Sequence, residues 1–319
     1  MEENIEGKAE SNLEANRDNT VENTVENTVE NTAETTLEIP SDNDAENNSV
    51  STFTKVHTTV SFAVMVFINF FANVVPFNKM TTGEVSDFYP NLFAPAGVAF
   101  SIWRVIYLLL AAYTIYQFDL FKKKDRIFSK DLIEKIGIFF SISSITNTAW
   151  IFAWHYNSIG MSLILIAIIL VCLIFINLKL NKANLVTREK LFLKLPFSIY
   201  FGWITIAAIA NTVIFLSSIG WNWFGIPESV WTILVLLLTL LIGGIVIFKK
   251  QDFAYGLSII WAFIGILIRH TSEDGFGGKY PVIIIVLIIS IILLLITNVY
   301  VLVSDKEKLK SFRLFKRLK

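Results

Sequence analysis

Charge is scarce in this 319-residue chain: Asp, Glu, Lys and Arg make up 17% of it, against 54% apolar residues. A soluble domain of this length needs far more polar surface to cover its core, so that class is excluded. There is one cysteine, Cys172, midway along an apolar run. An intrachain disulfide is therefore excluded, and the thiol reads as a small core residue. The three histidines, His57, His155 and His270, are far apart in sequence, so no metal-spaced His/Cys cluster exists. All three fall at the ends of apolar runs, where a polar tip is expected to reach water. There is no glycine-rich phosphate loop and no nucleophile with an adjacent base. No enzyme activity, metal, covalent cofactor or nucleic-acid partner is expected.

What charge there is lies unevenly. Residues 1–55 hold 14 of the 27 acids but only Lys8, Arg17 and Lys55, so the rest carries 13 acids and 24 Lys or Arg. This acidic segment has few large apolar side chains and repeats Thr-Val-Glu-Asn three times between Thr20 and Asn31. Too little apolar surface is available to offset the entropy of ordering, so residues 1–55 are expected to be a disordered low-complexity tail. The first long apolar run begins after residue 55, too late for an N-terminal secretory signal. It is expected to remain as an anchor.

Spanning a bilayer takes about 20 apolar residues in helix, because lipid offers the backbone no hydrogen bonds. Eight runs qualify: 57–77, 97–119, 135–156, 159–179, 194–218, 229–248, 252–270 and 281–303. The fold class is therefore all-α integral membrane. The seventh run is the shortest, and the eighth is almost purely Ile, Leu and Val, as expected of a helix facing lipid. Basic residues fill every second loop. Lys122, Lys123, Lys124, Arg126, Lys130 and Lys135 follow the second run; Lys179, Lys182, Arg188, Lys190 and Lys194 follow the fourth; Lys249 and Lys250 follow the sixth. Seven more lie between Lys306 and Lys319. Such alternation predicts both termini in the cytoplasm of a cell-membrane protein.

Polar and aromatic residues inside the runs carry the functional signal. Asn147 and Asn211 lie within the third and fifth runs, where an amide in lipid needs a partner or a cavity. Trp103, Trp150 and Trp203 lie within the second, third and fifth, away from the interfacial belt. Helix packing alone explains one such pair. Asn and Trp together on two helices, with Trp103 and Tyr107 on a third, point to an aromatic cavity with few polar groups, suited to a flat hydrophobic ligand. Arg104, close to one end of its run, reads as a snorkelling side chain.

These residues resemble the TspO/translocator protein family of tryptophan-rich membrane proteins. The family's second helix has a proline, a tryptophan eight residues later and a tyrosine four beyond; Pro95, Trp103 and Tyr107 keep that spacing. Its third helix carries Asn-x-x-Trp followed by aromatics, matched by Asn147, Trp150 and Trp154. Its fifth has Tyr, Trp three later, then Ala and Asn, matched by Tyr200, Trp203, Ala207 and Asn211. Three departures stand out: Ile199 in place of a proline, Arg104 in place of a small residue, and Phe100 where glycine is common and where a ring narrows the pocket.

The resemblance covers residues 56–222 and implies a five-helix bundle there. Residues 223–304 then form three additional spanning helices, and residues 305–319 a basic tail. It also implies a porphyrin or haem-like ligand, a homodimer, and a sensory or regulatory role in the bilayer. The ligand-binding residues implied are Trp103, Tyr107, Asn147, Trp150, Trp154, Trp203, Ala207 and Asn211. A second class of function stays open, a transporter or permease component for a small solute or lipophile. Gly243-Gly244 in the sixth run is the one candidate for the broken helix that transporters favour.

Overall fold

The computed structural model of the protein describes residues 50–75, 77–118 and 130–317, with side chains as far as Ser304. The expected disordered tail, apart from its last residues, and most of the first basic loop lie outside the described residues. Among the described residues, eight helices are long and apolar enough to cross a membrane. They are α1 (Thr52–Val74), α2 (Ile102–Tyr116, lengthened to a 20-residue span by the 3-10 turn Gly97–Ser101), α3 (Lys130–His155), α4 (Ile159–Lys182), α5 (Leu195–Ser218), α6 (Glu228–Lys250), α7 (Phe253–Thr271) and α8 (Pro281–Arg317). The chain is an all-α, multi-pass membrane protein.

Each boundary has a local cause. Helix α1 starts five residues before its apolar run because Ser51 caps it, its Oγ accepting from Thr54 N at 3.2 Å. A hydropathy window does not register such a polar first turn. Helix α6 ends where Gln251 takes a left-handed backbone, φ 51°. One residue later Asp252 caps α7, its Oδ1 accepting from Tyr255 N at 3.2 Å. The same carboxylate accepts from the buried Ser198 Oγ on α5 at 2.6 Å, so the cap also fastens α7 to its neighbour. Helix α8 continues through the basic segment to Arg317, past the expected end at 303.

Helix α5 stands at the centre. It packs on α4 on one side and α7 on the other, and α2 also lies against it. Helix α4 packs on α3, and α3 on α1, while α8 joins α7 to α6. This position explains why the shortest span is the most buried: 61% of its apolar window is inside, against 28% for α6 and α8. Gly202 allows α5 and α7 to approach. A Cβ there would stand 2.5 Å from the Tyr255 carbonyl oxygen and 2.8 Å from Ser258 Cβ. As far as Ser304, α8 presents a largely apolar face outward, including Ile285, Ile292 and Ile296.

Two expectations need correction. His155 and His270 do not reach water: both are fully buried. His155 Nδ1 lies 2.8 Å from Ile151 O, and His270 Nε2 lies 2.9 Å from Leu92 O, so each ring satisfies one nitrogen on backbone instead. His57 is half-buried, its Nδ1 2.7 Å from Ser141 Oγ. The Gly243-Gly244 pair does not break α6, which runs unbroken from Glu228 to Lys250. A Cβ on Gly243 would meet Ile259 at 3.5 Å and Leu294 at 3.6 Å, ordinary contact distances, so this position faces α7 and α8 without requiring a glycine.

Candidate functional site: a cavity between α1 and α2

Helices α1 and α2 meet only sparingly, and a cavity of about 600 Å³ lies between them. Its α1 wall includes Asn69, Phe70 and Asn73, and its α2 wall Trp103, Arg104 and Tyr107. The connection between the two helices closes one end with Thr82, Gly97, Val98 and Phe100. A volume of this size suits a small organic ligand, since such sites span roughly 300–1,000 Å³. Pairs of residues four apart, Asn69 with Asn73 and Trp103 with Tyr107, line it because they share a helix face.

Behind Trp103 lies an aromatic wall drawn from three helices. The Trp103 ring stacks on Tyr107 at 5.4 Å between centroids. It also meets Trp150 at 6.4 Å, Tyr200 at 5.9 Å and Trp203 at 6.3 Å. Trp150 stacks on Trp154 at 5.6 Å, and Phe100 stands edge-on to Trp203 at 6.0 Å. Polar groups are few. Asn147 Oδ1 accepts from Asn69 Nδ2 at 2.8 Å, and Asn147 Nδ2 donates to Tyr200 Oη at 3.4 Å. Tyr107 Oη, Trp150 Nε1 and Trp203 Nε1 are buried with no partner among the described residues. Each can donate, and an unpaired buried donor costs about 1–3 kcal/mol. Arg104 adds a guanidinium to the cavity wall, exposed and without an ion-pair partner among the described residues. The polar character of the site is thus donor-rich and cationic, on an aromatic background.

The α1–α2 connection is held from both sides. A short helix, Thr82–Asp87, opens with a capping box: Glu84 Oε2 accepts from Thr81 N at 2.6 Å and Thr81 Oγ1 from Glu84 N at 3.4 Å. Hydrogen bonds to the carboxyl from the Thr81 backbone N–H, and from its side chain, hold Glu84 below its ordinary pKa. From α3, Trp154 Nε1 donates to Thr82 O at 3.0 Å. From the C-terminal helices come four more ties, besides the contact of His270 with Leu92 O. Ala96 N donates to Gly265 O at 2.9 Å, and Trp261 Nε1 to Ala99 O at 2.9 Å. Leu92 N donates to Glu228 Oε1 at 3.0 Å, and Arg269 pairs with Asp87 at 3.0 Å. Gly265 is required here, since a Cβ on it would stand 2.6 Å from Ala99 Cβ. Helices α6 and α7 therefore fasten the segment that carries Gly97, Val98 and Phe100 over the cavity.

Of the eight residues expected at a ligand site, Trp103 and Tyr107 line the cavity, and Asn147, Trp150, Trp154 and Trp203 stand in the wall behind it. The remaining two lie elsewhere. Asn211 faces α4, where its Oδ1 accepts from Ser162 Oγ at 2.6 Å, and its Nδ2 donates to Ala207 O. This pair serves the α4–α5 contact. Arg104, read as snorkelling, is exposed and also lines the cavity. Asn69, Asn73 and Val98 were not anticipated. The two amides four residues apart in a spanning run were the available signal.

A family described as TSPO-like protein matches residues 55–300, and the chain belongs to that family. The match runs into α8, past the five helices on which the sequence motifs lie. No curated protein and no solved structure matches the chain.

Proposed function

We propose that this member of the TSPO-like family binds a flat, hydrophobic ligand with an anionic group, of the porphyrin or tetrapyrrole kind, in the cavity between α1 and α2. The observation that carries the reading is the joint presence of Trp103, Tyr107 and the unpaired Arg104 on one wall of a 600 Å³ cavity. The indole and phenol rings offer faces for stacking, and the guanidinium offers a partner for a carboxylate. An apolar groove lined by Phe62, Ala63, Phe67, Ala111 and Ile115 shares Val66 and Phe70 with the cavity. A lipophilic ligand reaches the site along this seam from the bilayer, while α7 holds the opposite lid. The role is sensory or regulatory. The transport alternative drew on a break in α6, and that helix is continuous.

The test is a titration of the purified full chain with protoporphyrin IX, followed by tryptophan fluorescence. Saturable quenching is expected because Trp103 lines the cavity and three further indoles stand behind it. Trp103→Phe, on the cavity lining, is expected to weaken binding by about 1–2 kcal/mol, roughly five- to thirty-fold. Absence of saturable quenching by any tetrapyrrole would overturn the ligand assignment. The orientation belongs to the same proposal: both termini are cytoplasmic in a cell membrane. Reporter fusions at Lys190 and Lys319 are expected to read inside, and one at Asn222 outside.

A further inference from the structure

A second cavity, of about 390 Å³, lies at the other end of the bundle, where α4 and α6 end and α5 begins. Five lysines line it: Lys182, Lys190, Lys194, Lys249 and Lys250. No carboxylate lines it, and none of the five has an ion-pair partner among the described residues. Like charges gathered in a concavity repel one another, and the concave shape focuses their field. Two of the lysines come from a π turn, Lys190–Lys194, at the entrance to α5. Such turns are uncommon and are frequent at functional sites. Leu178 and Leu180 share the lining, and Leu178 is exposed on the outer surface of α4. The cavity thus joins a cationic floor to an apolar, lipid-facing flank.

We propose that this cavity binds the phosphoryl headgroup of an anionic phospholipid, with an acyl chain lying along α4. The shared chemistry is a phosphate dianion or diester held by ammonium groups, and a free phosphate in water could meet the same lysines. The apolar flank at Leu178 favours the lipid, which alone has a chain to place there. A lipid here would bridge α4–α5 to α6, and so tie the C-terminal helices to the bundle at the end opposite the lid.

The experiment titrates the full-length protein in detergent with phosphatidylglycerol and, separately, phosphatidylcholine, and counts bound lipid by native mass spectrometry. Each lysine near an anionic headgroup is worth about 1 kcal/mol, so Lys190→Gln/Lys249→Gln is expected to weaken phosphatidylglycerol binding roughly tenfold to thirtyfold. Phosphatidylcholine binding is expected to stay as it was. Lys249→Gln/Lys250→Gln, on the exposed last turn of α6, repeats the test with less risk to folding, and is expected to act in the same direction. Lys55→Gln/Lys135→Gln removes two basic charges near the starts of α1 and α3, neither of which lines the cavity, and is expected to leave the affinity unchanged. Equal losses in that control, or equal binding of the two lipids, would overturn the site in favour of general surface charge. Displacement of phosphatidylglycerol by millimolar inorganic phosphate would overturn the lipid in favour of a soluble phosphate. The protoporphyrin titration reads a different cavity, so either proposal can fail alone.

Discussion

Two helix seams in this protein have opposite characters. Between α5 and α7 the backbones close until Gly202 meets the Tyr255 carbonyl, and buried polar groups such as Asp252 and Ser198 find each other. Between α1 and α2 the helices stand apart, bordered by Asn73, Trp103 and Arg104. Both seams lie in the same apolar medium, so hydrophobicity does not distinguish them. What does is the placement of small residues. In a bilayer, helices associate through close packing and hydrogen bonds, because lipid tails are as apolar as the side chains they replace. Glycine and serine at the contact let α7 dock. Tryptophan, arginine and phenylalanine at the other seam hold the helices apart and leave room.

The largest expected effect comes from adding one methyl group to the tight seam. Gly202→Ala places a Cβ against backbone, which cannot swing aside, so α5 and α7 must separate. Overpacking of this kind costs about 1–3 kcal/mol. The counterpart in the open seam is Gly97→Ala, where a Cβ would meet nothing within 4 Å. It is expected to leave stability within about 0.5 kcal/mol of the parent. Thermal unfolding of both variants in one detergent makes the comparison. Equal melting temperatures would erase the distinction between the seams.

Next in size are changes that touch the cavity without touching the packing. Gly97→Leu fills space in the lid and is expected to reduce protoporphyrin affinity about tenfold, with the melting temperature nearly unchanged. Arg104→Gln removes the cation from the wall. A charge-assisted hydrogen bond is worth about 1.5–3 kcal/mol, so affinity for protoporphyrin IX is expected to fall at least tenfold. Its dimethyl ester carries no carboxylate and is expected to bind parent and variant alike. If the ester is as sensitive to the substitution as the acid, the arginine acts by shape and not by charge.

The contrast between the seams also marks how far the sequence could be read. Eight spans were legible because length and apolarity are properties of single segments. The aromatic wall was legible because Trp103, Asn147, Trp150 and Trp203 are costly to place at bilayer depth without a purpose. The docking of α7 was not. Gly202, Gly256 and Gly265 are ordinary glycines in sequence, and their role exists only once Tyr255, Asn298 and Ala99 stand opposite them. Asn211 misled for a related reason. An amide in a spanning helix requires a partner, and its position cannot say whether that partner is a ligand or, as here, Ser162 on the next helix. The buried histidines show the same ambiguity. His270 sits at the end of its run, but the lid segment at Leu92 covers it.

The smallest expected effect tests whether the lid has any independence from the helices that clamp it. Glu84 and Thr81 close a capping box at the start of the Thr82–Asp87 helix, where Glu84 is exposed. The carboxyl is fully exposed, so its contribution to global stability is screened and is best read locally. Its pKa in the folded protein is depressed by hydrogen bonds from Thr81 that favour the ionised form. A depressed carboxyl contributes stability above its unfolded pKa and loses it as pH falls through the folded value. Amide exchange at Val85 and Phe88, corrected for intrinsic rates, is therefore expected to be slow and flat near neutrality and to accelerate in acid, below about pH 4.3. Glu84→Gln keeps an acceptor for the Thr81 amide but cannot ionise, so its exchange is expected to lose that pH dependence. Should parent and variant exchange alike at every pH, the short helix is held by Trp154 and the α7 contacts alone. The lid would then be as rigid as the tight seam behind it, and ligand access would rest wholly on the open seam between α1 and α2.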